Sequence, residues 1–317
     1  MKNGDIISTS ANNIASKLIR FATKSDFSHV MLYVGYSSCI HAMPDGGVQT
    51  INLQRLMFND VNDVSVFRLK DPVEKKVIDD ICTYARAQWK TSYSKLDAAR
   101  SPFGVGGLTN RQYCSKLIAL SYDAANIKLT ENPNYCTPEN IISSEKLIKI
   151  PNVIREATVE EINFSKTNSP IDEQTLVADK ILDDIRKITR KDIQNFNQID
   201  EYLKENSEYD EEITAIVRDS GYCDMWRNEM SKNKWRYSIS DVSYVINDEK
   251  MTREFCENEI EMSVQQLKQF TLMREFYRWS HSKFHLSYFK LLFDLYENLV
   301  AMMSKRLGVF GAVILEK

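Results

Sequence analysis

The chain of 317 residues lacks the features that several protein classes require. Its formal net charge is -3, so it has no excess of positive charge for binding a polyanion, and we expect no nucleic-acid partner. Its six cysteines include no Cys-x-x-Cys pair, and the chain is much longer than the small secreted scaffolds that need disulfides. The sequence therefore favours reduced thiols in a cytosol-like compartment.

Long hydrophobic runs are also missing. The apolar run at residues 299–315 is interrupted by Lys305 and Arg306, and a membrane-spanning helix needs about 18 or more apolar residues. The N-terminus has neither the basic start nor the apolar stretch of about 7–15 residues that is typical of a signal peptide. We therefore expect no membrane span and a cytoplasmic location by default, with non-classical delivery as an effector as the alternative.

Proline and glycine are nearly absent from the second half of the chain. All seven prolines lie at or before Pro170, and no glycine or proline occurs between Gly221 and Gly308. Because these two residue types interrupt helices, their absence indicates long helices, and apolar residues recur there at spacings of three and four. Most of the many aromatic residues in these helices should be core. A remaining apolar groove could bind an acyl chain, a membrane surface or a protein partner.

The first half instead alternates short β-rich segments with turns, which predicts an α+β domain with a small antiparallel sheet packed on helices. The segments at residues 5–8, 28–35, 39–42 and 64–69 are expected to form one meander, and a further short strand is expected near residue 149. The predicted organisation has three parts. They are an α+β domain at residues 1–155, a linker at 156–170 and a mostly α-helical domain at 171–317.

Three residues of the first half are candidates for a thiol-dependent catalytic site. Cys114 lies where the glycine-containing segment at residues 101–110 leads into an apolar helix, and a helix N-terminus can lower the pKa of a thiol. His29 begins an apolar strand, and His41 on the next strand could hydrogen-bond the far ring nitrogen of His29. Taken singly, each residue is more often structural than catalytic.

Other candidate residues are weaker. Asp5 follows Gly4 and is expected to hold the turn before the first strand. Cys136 precedes no apolar helix and is a poor rival nucleophile. His281 and His285 have the i, i+4 spacing that can bind zinc, but no glutamate follows His281 and no third ligand is evident. We therefore predict no metal site and no cofactor.

The order of the motifs resembles the circularly permuted branch of the NlpC-type papain-like superfamily, which includes YiiX-like and lecithin:retinol-acyltransferase-like proteins. In unpermuted members the cysteine helix precedes the Gly-Asp strand, whereas here it follows the strands. The resemblance covers roughly residues 1–155. The matching segments are Gly4-Asp5-Ile6-Ile7, Ser28-His29-Val30-Met31-Leu32-Tyr33-Val34-Gly35, Ile40-His41-Ala42, Gly47-Val48, Tyr113-Cys114-Ser115-Lys116-Leu117 and Thr137-Pro138-Glu139-Asn140-Ile141.

This resemblance implies that Cys114 is the nucleophile, His29 the general base and His41 the third, orienting residue. It implies a cysteine hydrolase that cleaves an amide or ester bond through an acyl-thioenzyme, such as a peptidoglycan amidase or endopeptidase or a delivered effector. The implied substrates are peptides, peptidoglycan, and acylated proteins or lipids. Two alternatives stay open: a lipid-acting acyltransferase or phospholipase, and a catalytically inactive papain-like binding module.

Overall fold

A computed structural model describes residues 1–10, 27–94, 98, 111–245 and 249–315, and the predicted glycine-containing segment at residues 101–110 lies outside them. The chain divides into two compact units, Met1–Asp172 and Glu173–Lys317. The first unit combines a six-stranded antiparallel sheet with helices, and the second is helical. This is the fold class that the sequence predicts.

The sheet has the strand order β4-β3-β2-β1-β5-β6. Its strands are β1 (Ile6–Thr9), β2 (His29–Gly35), β3 (Ser38–Met43), β4 (Gly47–Asn52), β5 (Val64–Leu69) and β6 (Leu147–Ile150). The prediction that β5 continues the meander is wrong, because β5 pairs with β1 and not with β4. Since β1 is fully buried along its length, it needs a neighbour on each side, and β2 and β5 supply them.

Two apolar cores lie on opposite faces of this sheet, because side chains alternate along each strand. Val30 and Leu32 of β2 pack in one core with residues of the helices, whereas Met31 packs in the other with Ile7 and Cys39. The helices of the first unit are α1 (Lys75–Ala87), α2 (Cys114–Asp123), α3 (Pro138–Ile142) and α4 (Val159–Ser165). Cys114 is part of the core that contains Val30 and the apolar residues of α2.

Residues 156–170, which were predicted to be a linker, contain the short helix α4. A capping box begins this helix: the Thr158 side chain accepts from the backbone N–H of Glu161, and the Glu161 carboxylate accepts from the N–H of Thr158. The Arg55 guanidinium lies 4.5 Å from the centre of the Phe164 ring. It also donates to the carbonyl oxygen of Phe164 at 3.3 Å. These contacts attach α4 to the first unit.

Asp5 is fully buried beside the turn that leads into β1. Its two carboxylate oxygens accept hydrogen bonds from Arg68 Nε and Nη2, each at 2.7 Å. The backbone N–H of Lys2 donates to the same carboxylate at 2.6 Å. A buried carboxylate is stable only when it is paired and hydrogen-bonded, so this arrangement supports the expected role of Asp5 in holding the turn.

The second unit consists of helices with three apolar clusters, the largest of which joins most of them. They are α5 (Pro170–Thr189), which begins at the unit boundary, α6 (Phe196–Glu205), α7 (Asp210–Asp219), α8 (Met225–Lys232), α9 (Ile239–Val245), α10 (Glu249–Phe284) and α11 (Ser287–Leu315). The last two form a long helical hairpin, in agreement with the long helices that the sequence indicates. Asp210 holds the start of α11, because its carboxylate accepts from the backbone N–H groups of Ser287 at 2.7 Å and Tyr288 at 2.9 Å.

Among the described helices, α11 alone is long and apolar enough to cross a membrane by length and composition, which the uninterrupted-run criterion did not detect. In its most apolar 18-residue window, 33% of the residues are buried in the protein. That window includes the side chain of Arg306, which is buried and paired with Glu259 of α10 at 2.9 Å. One such helix is weak evidence for a membrane span, since a core helix of a globular unit passes the same test.

Candidate active site

Cys114 is the first residue of α2, as the sequence predicts, and its neighbours fix this helix start to a nearby loop. The preceding residue, Tyr113, is extended and donates its hydroxyl to the carbonyl oxygen of Asn134 at 2.8 Å. The following residue, Ser115, donates its hydroxyl to the carbonyl oxygen of Cys136 at 2.6 Å. Since both flanking side chains are bonded, the backbone at Cys114 is held in place.

His29 and His41 are brought together by the antiparallel pairing of β2 and β3. Leu32 lies opposite Ile40 in this register, so the two histidines are diagonal neighbours near the end of the strand pair. The distance between His29 Nε2 and His41 Nδ1 is 3.0 Å, and the rings meet edge to face. The structure therefore contains the contact between His29 and His41 that the sequence suggested.

Cys114 reaches this histidine pair through Val30, the residue that follows His29. The backbone N–H of Val30 interacts with the Cys114 thiol and favours the thiolate. Within the described part of the chain, no hydrogen bond joins the thiol to the His29 ring. The structure thus places Cys114 beside the strand end that carries His29 without a direct bond between the two side chains, a geometry that resting catalytic sites often show.

Burial dominates the electrostatics of the three residues. It raises the pKa of the Cys114 thiol, and the N–H groups of Val30, Cys114 and Ser115 lower this pKa by less. Burial also lowers the pKa of His29 to about 3, with a further contribution from His41. It lowers the pKa of His41 to about 4. Contrary to the expectation of a lowered thiol pKa at a helix start, the resting site holds a neutral thiol and two neutral imidazoles.

Tyr93 is a site residue that the sequence did not indicate. It forms an isolated parallel bridge with Gln112, two residues before Cys114. Its side chain packs against the core that contains Cys114. Burial raises the pKa of the Tyr93 phenol, with a smaller contribution from Cys114, so the phenol keeps its proton. No periodicity marks this tyrosine, because its segment is a short irregular one.

The weaker sequence candidates occupy structural positions. Cys136 is buried, and burial raises the pKa of its thiol to about 12. His281 Nδ1 lies 3.1 Å from the carbonyl oxygen of Leu286, beside the turn that joins α10 and α11. His285 lies in that turn with a φ of 55°. Among the residues that the structure describes, no group of three or more histidine, cysteine or acidic side chains could hold a metal ion.

A cysteine at the first position of a helix, packed against an antiparallel sheet that carries two contacting histidines, is a papain-like arrangement, and the order of strands before the cysteine helix makes it a permuted one. Residues 1–153 match the family described as permuted papain-like amidase enzyme, YaeF/YiiX, C92 family. The match confirms the resemblance over this part of the chain. It supports an amidase-type hydrolase as the general class of the first unit.

One solved structure that aligns with the chain is the metalloprotein yiiX from Escherichia coli O157:H7. The two sequences are 18% identical, and the alignment covers 50% of this chain and 98% of that chain with a TM-score of 0.39. No curated protein matches the chain.

Proposed function

We propose that the first unit is a cysteine hydrolase that cleaves an amide bond through an acyl-thioenzyme. In this proposal Cys114 is the nucleophile, His29 the general base and His41 a positioning residue. The observation that supports it most strongly is the 3.0 Å contact between His29 and His41 at a strand end whose next residue, Val30, contacts the Cys114 thiol. A structural cysteine would not need a buried pair of histidines beside it.

The first chemical step begins from neutral groups. In the proposed tautomer, Nε2–H of His29 donates to His41 Nδ1, 3.0 Å away, and the lone pair of His29 Nδ1 is free to act as a base. As Cys114 Sγ attacks the substrate carbonyl carbon, His29 Nδ1 takes the thiol proton. The carbonyl π electrons move to oxygen and form a tetrahedral oxyanion.

The developing oxyanion needs hydrogen-bond donors. The backbone N–H of Cys114 at the start of α2 is one donor, and the protonated Tyr93 phenol is the second in this proposal. Collapse of the intermediate breaks the carbon–nitrogen bond, and the amine leaves with the proton held by His29. Water then gives a proton to His29 and attacks the thioester. This step releases the acid and returns the proton to Cys114 Sγ.

Because the resting thiol is neutral, the site differs from one with a preformed thiolate–imidazolium pair. The high pKa of Cys114 makes the free thiol slow to react with simple electrophiles. Proton transfer must then accompany carbonyl attack, so catalysis depends on His29 at every turnover. A substrate that enters the site also displaces the solvent that would otherwise compete for the base.

The experiment is acylation of the full chain by 4-nitrophenyl acetate, followed by mass spectrometry to locate the acetyl group. We expect one acetyl group on Cys114, no such group in Cys114→Ser, and a rate lower by about 10²–10⁴-fold in His29→Ala. Cys223→Ser serves as the matched control, because Cys223 is a half-buried thiol of the other unit. Equal labelling of several cysteines, independent of His29, would show a binding module instead.

The substrate class needs a second measurement. Purified peptidoglycan, acylated peptides and defined phospholipids are incubated separately with wild type and Cys114→Ser, and the products are identified by mass spectrometry. The proposal predicts Cys114-dependent products from an amide-containing substrate. Products from phospholipid alone would support the lipid-acting alternative, acyltransferase or phospholipase.

A further inference from the structure

Gln112 carries a buried side-chain oxygen that accepts no hydrogen bond from the described residues. The residue is 4% exposed, and the unpaired atom is its Oε1. Its Nε2 donates to Oε1 of Gln88 at 3.3 Å. With Gln88 Oε1 as the acceptor of this bond, Oε1 is the end of the Gln112 amide that is left without a donor. A buried acceptor without a donor is unfavourable and calls for an explanation.

Gln112 precedes Cys114 by two positions, with one extended residue between them. Tyr113, between Gln112 and Cys114, is extended with φ -140° and ψ 167°. Alternate side chains of an extended segment point to one side, so the Gln112 amide and the Cys114 thiol project together. Their α-carbons are about 6–7 Å apart, since an extended chain rises about 3.3 Å per residue.

The backbone of Gln112 is held rigidly, which fixes the direction of its side chain. Its N–H donates to the carbonyl oxygen of Ser92 at 2.9 Å, and its carbonyl oxygen accepts from the N–H of Ser94 at 2.8 Å. These bonds enclose Tyr93, whose ring packs against the core that contains Cys114. Gln112 is thus bonded on both sides within the same short segment that borders the nucleophile.

Cys114 is 7% exposed and Gln112 is 4% exposed, so the two side chains are enclosed to a similar degree. A substrate whose carbonyl carbon reaches Cys114 Sγ brings the next atoms of its acyl group close to this enclosed acceptor. A methylene group in that place would leave Oε1 unpaired, whereas an N–H group would donate to it. The acceptor therefore distinguishes acyl groups by the presence of a donor near the carbonyl.

We propose that Gln112 Oε1 accepts a hydrogen bond from an amide N–H on the acyl side of the scissile bond, two atoms from the carbonyl carbon. This inference rests on the proposed function and specifies its substrate class. The site selects peptide-like acyl groups, in which the α-nitrogen carries the N–H, over hydrocarbon acyl chains. Gln112 is a specificity-determining residue in this assignment.

Two 4-nitrophenyl esters test the proposal, those of N-acetylglycine and 4-oxopentanoic acid. The two acyl groups have the same length and the same distal carbonyl. At the position two atoms from the ester carbonyl carbon, N-acetylglycine carries an N–H group and 4-oxopentanoic acid carries a methylene group. The rate of Cys114 acylation by each ester, divided by its rate with glutathione, gives a preference ratio. We expect wild type to prefer the N-acetylglycyl ester by about 10–100-fold, because a site with a buried acceptor rejects a ligand that lacks the donor.

Variants of Gln112 distinguish loss of the proposed hydrogen bond from loss of the folded structure. Gln112→Leu should bring the preference ratio to about 1, and Gln112→Glu, which keeps an acceptor oxygen, should retain a preference. Gln54→Leu is the matched control, since Gln54 is an exposed glutamine in the short turn Leu53–Arg55. An unchanged ratio in Gln112→Leu, or a ratio near 1 in wild type that is acylated at Cys114, would overturn this inference alone. Failure of both esters to acylate Cys114 would overturn the proposed function with it.

Discussion

His29 Nε2 and His41 Nδ1 lie 3.0 Å apart across two neighbouring strands, and burial keeps both rings neutral near neutral pH. A hydrogen bond between two neutral imidazoles needs one N–H and one lone pair, so it couples the tautomers of the two rings. In the proposed mechanism the His29 proton is on Nε2, and Nδ1 is the base. His41 then acts through His29 and not on the substrate.

Replacement of His41 tests this positioning role. We expect His41→Ala to slow Cys114 acylation by about 10–100-fold, because the base nitrogen is no longer oriented. His41→Gln, whose side-chain oxygen is an acceptor, should recover part of the rate. The acid limb of the pH–rate profile should also move to higher pH in His41→Ala. Burial and the neighbouring His41 lower the pKa of His29, and the substitution reduces both effects. An unchanged limb and an unrescued rate would indicate a purely structural role.

Removal of the Tyr93 hydroxyl tests the second oxyanion donor. Tyr93→Phe keeps the ring in the core and should lower the rate of acylation by 4-nitrophenyl acetate by about 10²-fold. Methyl methanethiosulfonate reacts with the same thiol without forming an oxyanion, so its rate with Cys114 should change little. A parallel loss with both reagents would mean that Tyr93 affects the thiol itself. Tyr135→Phe, a tyrosine of the loop after α2, is the control.

Features that depend on neighbouring residues could be predicted from the sequence. The start of α2 at Cys114, the strand that begins at His29 and the Thr137 cap of α3 all follow from local patterns. The contact between the two histidines also follows, because consecutive strands joined by a short turn usually pair. The family resemblance of the first unit could be predicted from the sequence for the same reason, because the motifs that carry it lie within these local segments.

Long-range features could not be read in this way. The pairing of β5 with β1 depends on which neighbour buries the central strand, and no local signal encodes that choice. Tyr93 approaches Cys114 only through the bridge to Gln112. The direction of the Cys114 pKa was mistaken because burial of the thiol, which only the packed structure shows, outweighs the effect of the helix start.

The neutral histidine pair predicts that acid destabilises the first unit. The pKa of His29 is lowered from 6.5 to about 3, and that of His41 from 6.5 to about 4. Each group therefore contributes stability that is fully present above the unfolded pKa and is lost as the pH falls through the window toward the folded pKa. We expect the melting temperature of the first unit to fall between about pH 7 and pH 4.

The double variant His29→Gln/His41→Gln should show a smaller fall over the same pH range, because its side chains do not titrate. His285→Asn is the control, since asparagine tolerates the positive φ of that turn. Hydrogen exchange of peptides from β2 and β3 reports the first unit separately from the helical one. An equal acid response in the double variant and wild type would assign the effect to other groups.

The helical unit should respond to pH in the opposite direction because of Asp200. This side chain of α6 is 3% exposed and accepts a hydrogen bond from the Tyr277 hydroxyl of α10 at 3.1 Å. Burial raises the pKa of its carboxyl group from 3.8 to about 7, while the Tyr277 hydrogen bond and the charge of Lys204 lower it by less. The carboxyl group is therefore protonated in the folded unit at mildly acidic pH.

A raised folded pKa contributes stability that is fully present below the unfolded pKa and is lost as the pH rises through the folded pKa. We expect peptides of α6 and α10 to exchange faster as the pH rises from about 4 to 8, after correction for intrinsic exchange rates. Asp200→Asn keeps the acceptor oxygen but cannot ionise, so it should remove this trend and be the more stable protein at about pH 8, by a few kcal/mol. Asp219→Asn, at the exposed end of α7, is the control and should keep the wild-type trend. If Asp200→Asn also keeps that trend, ionisation of the buried carboxyl group is not its cause.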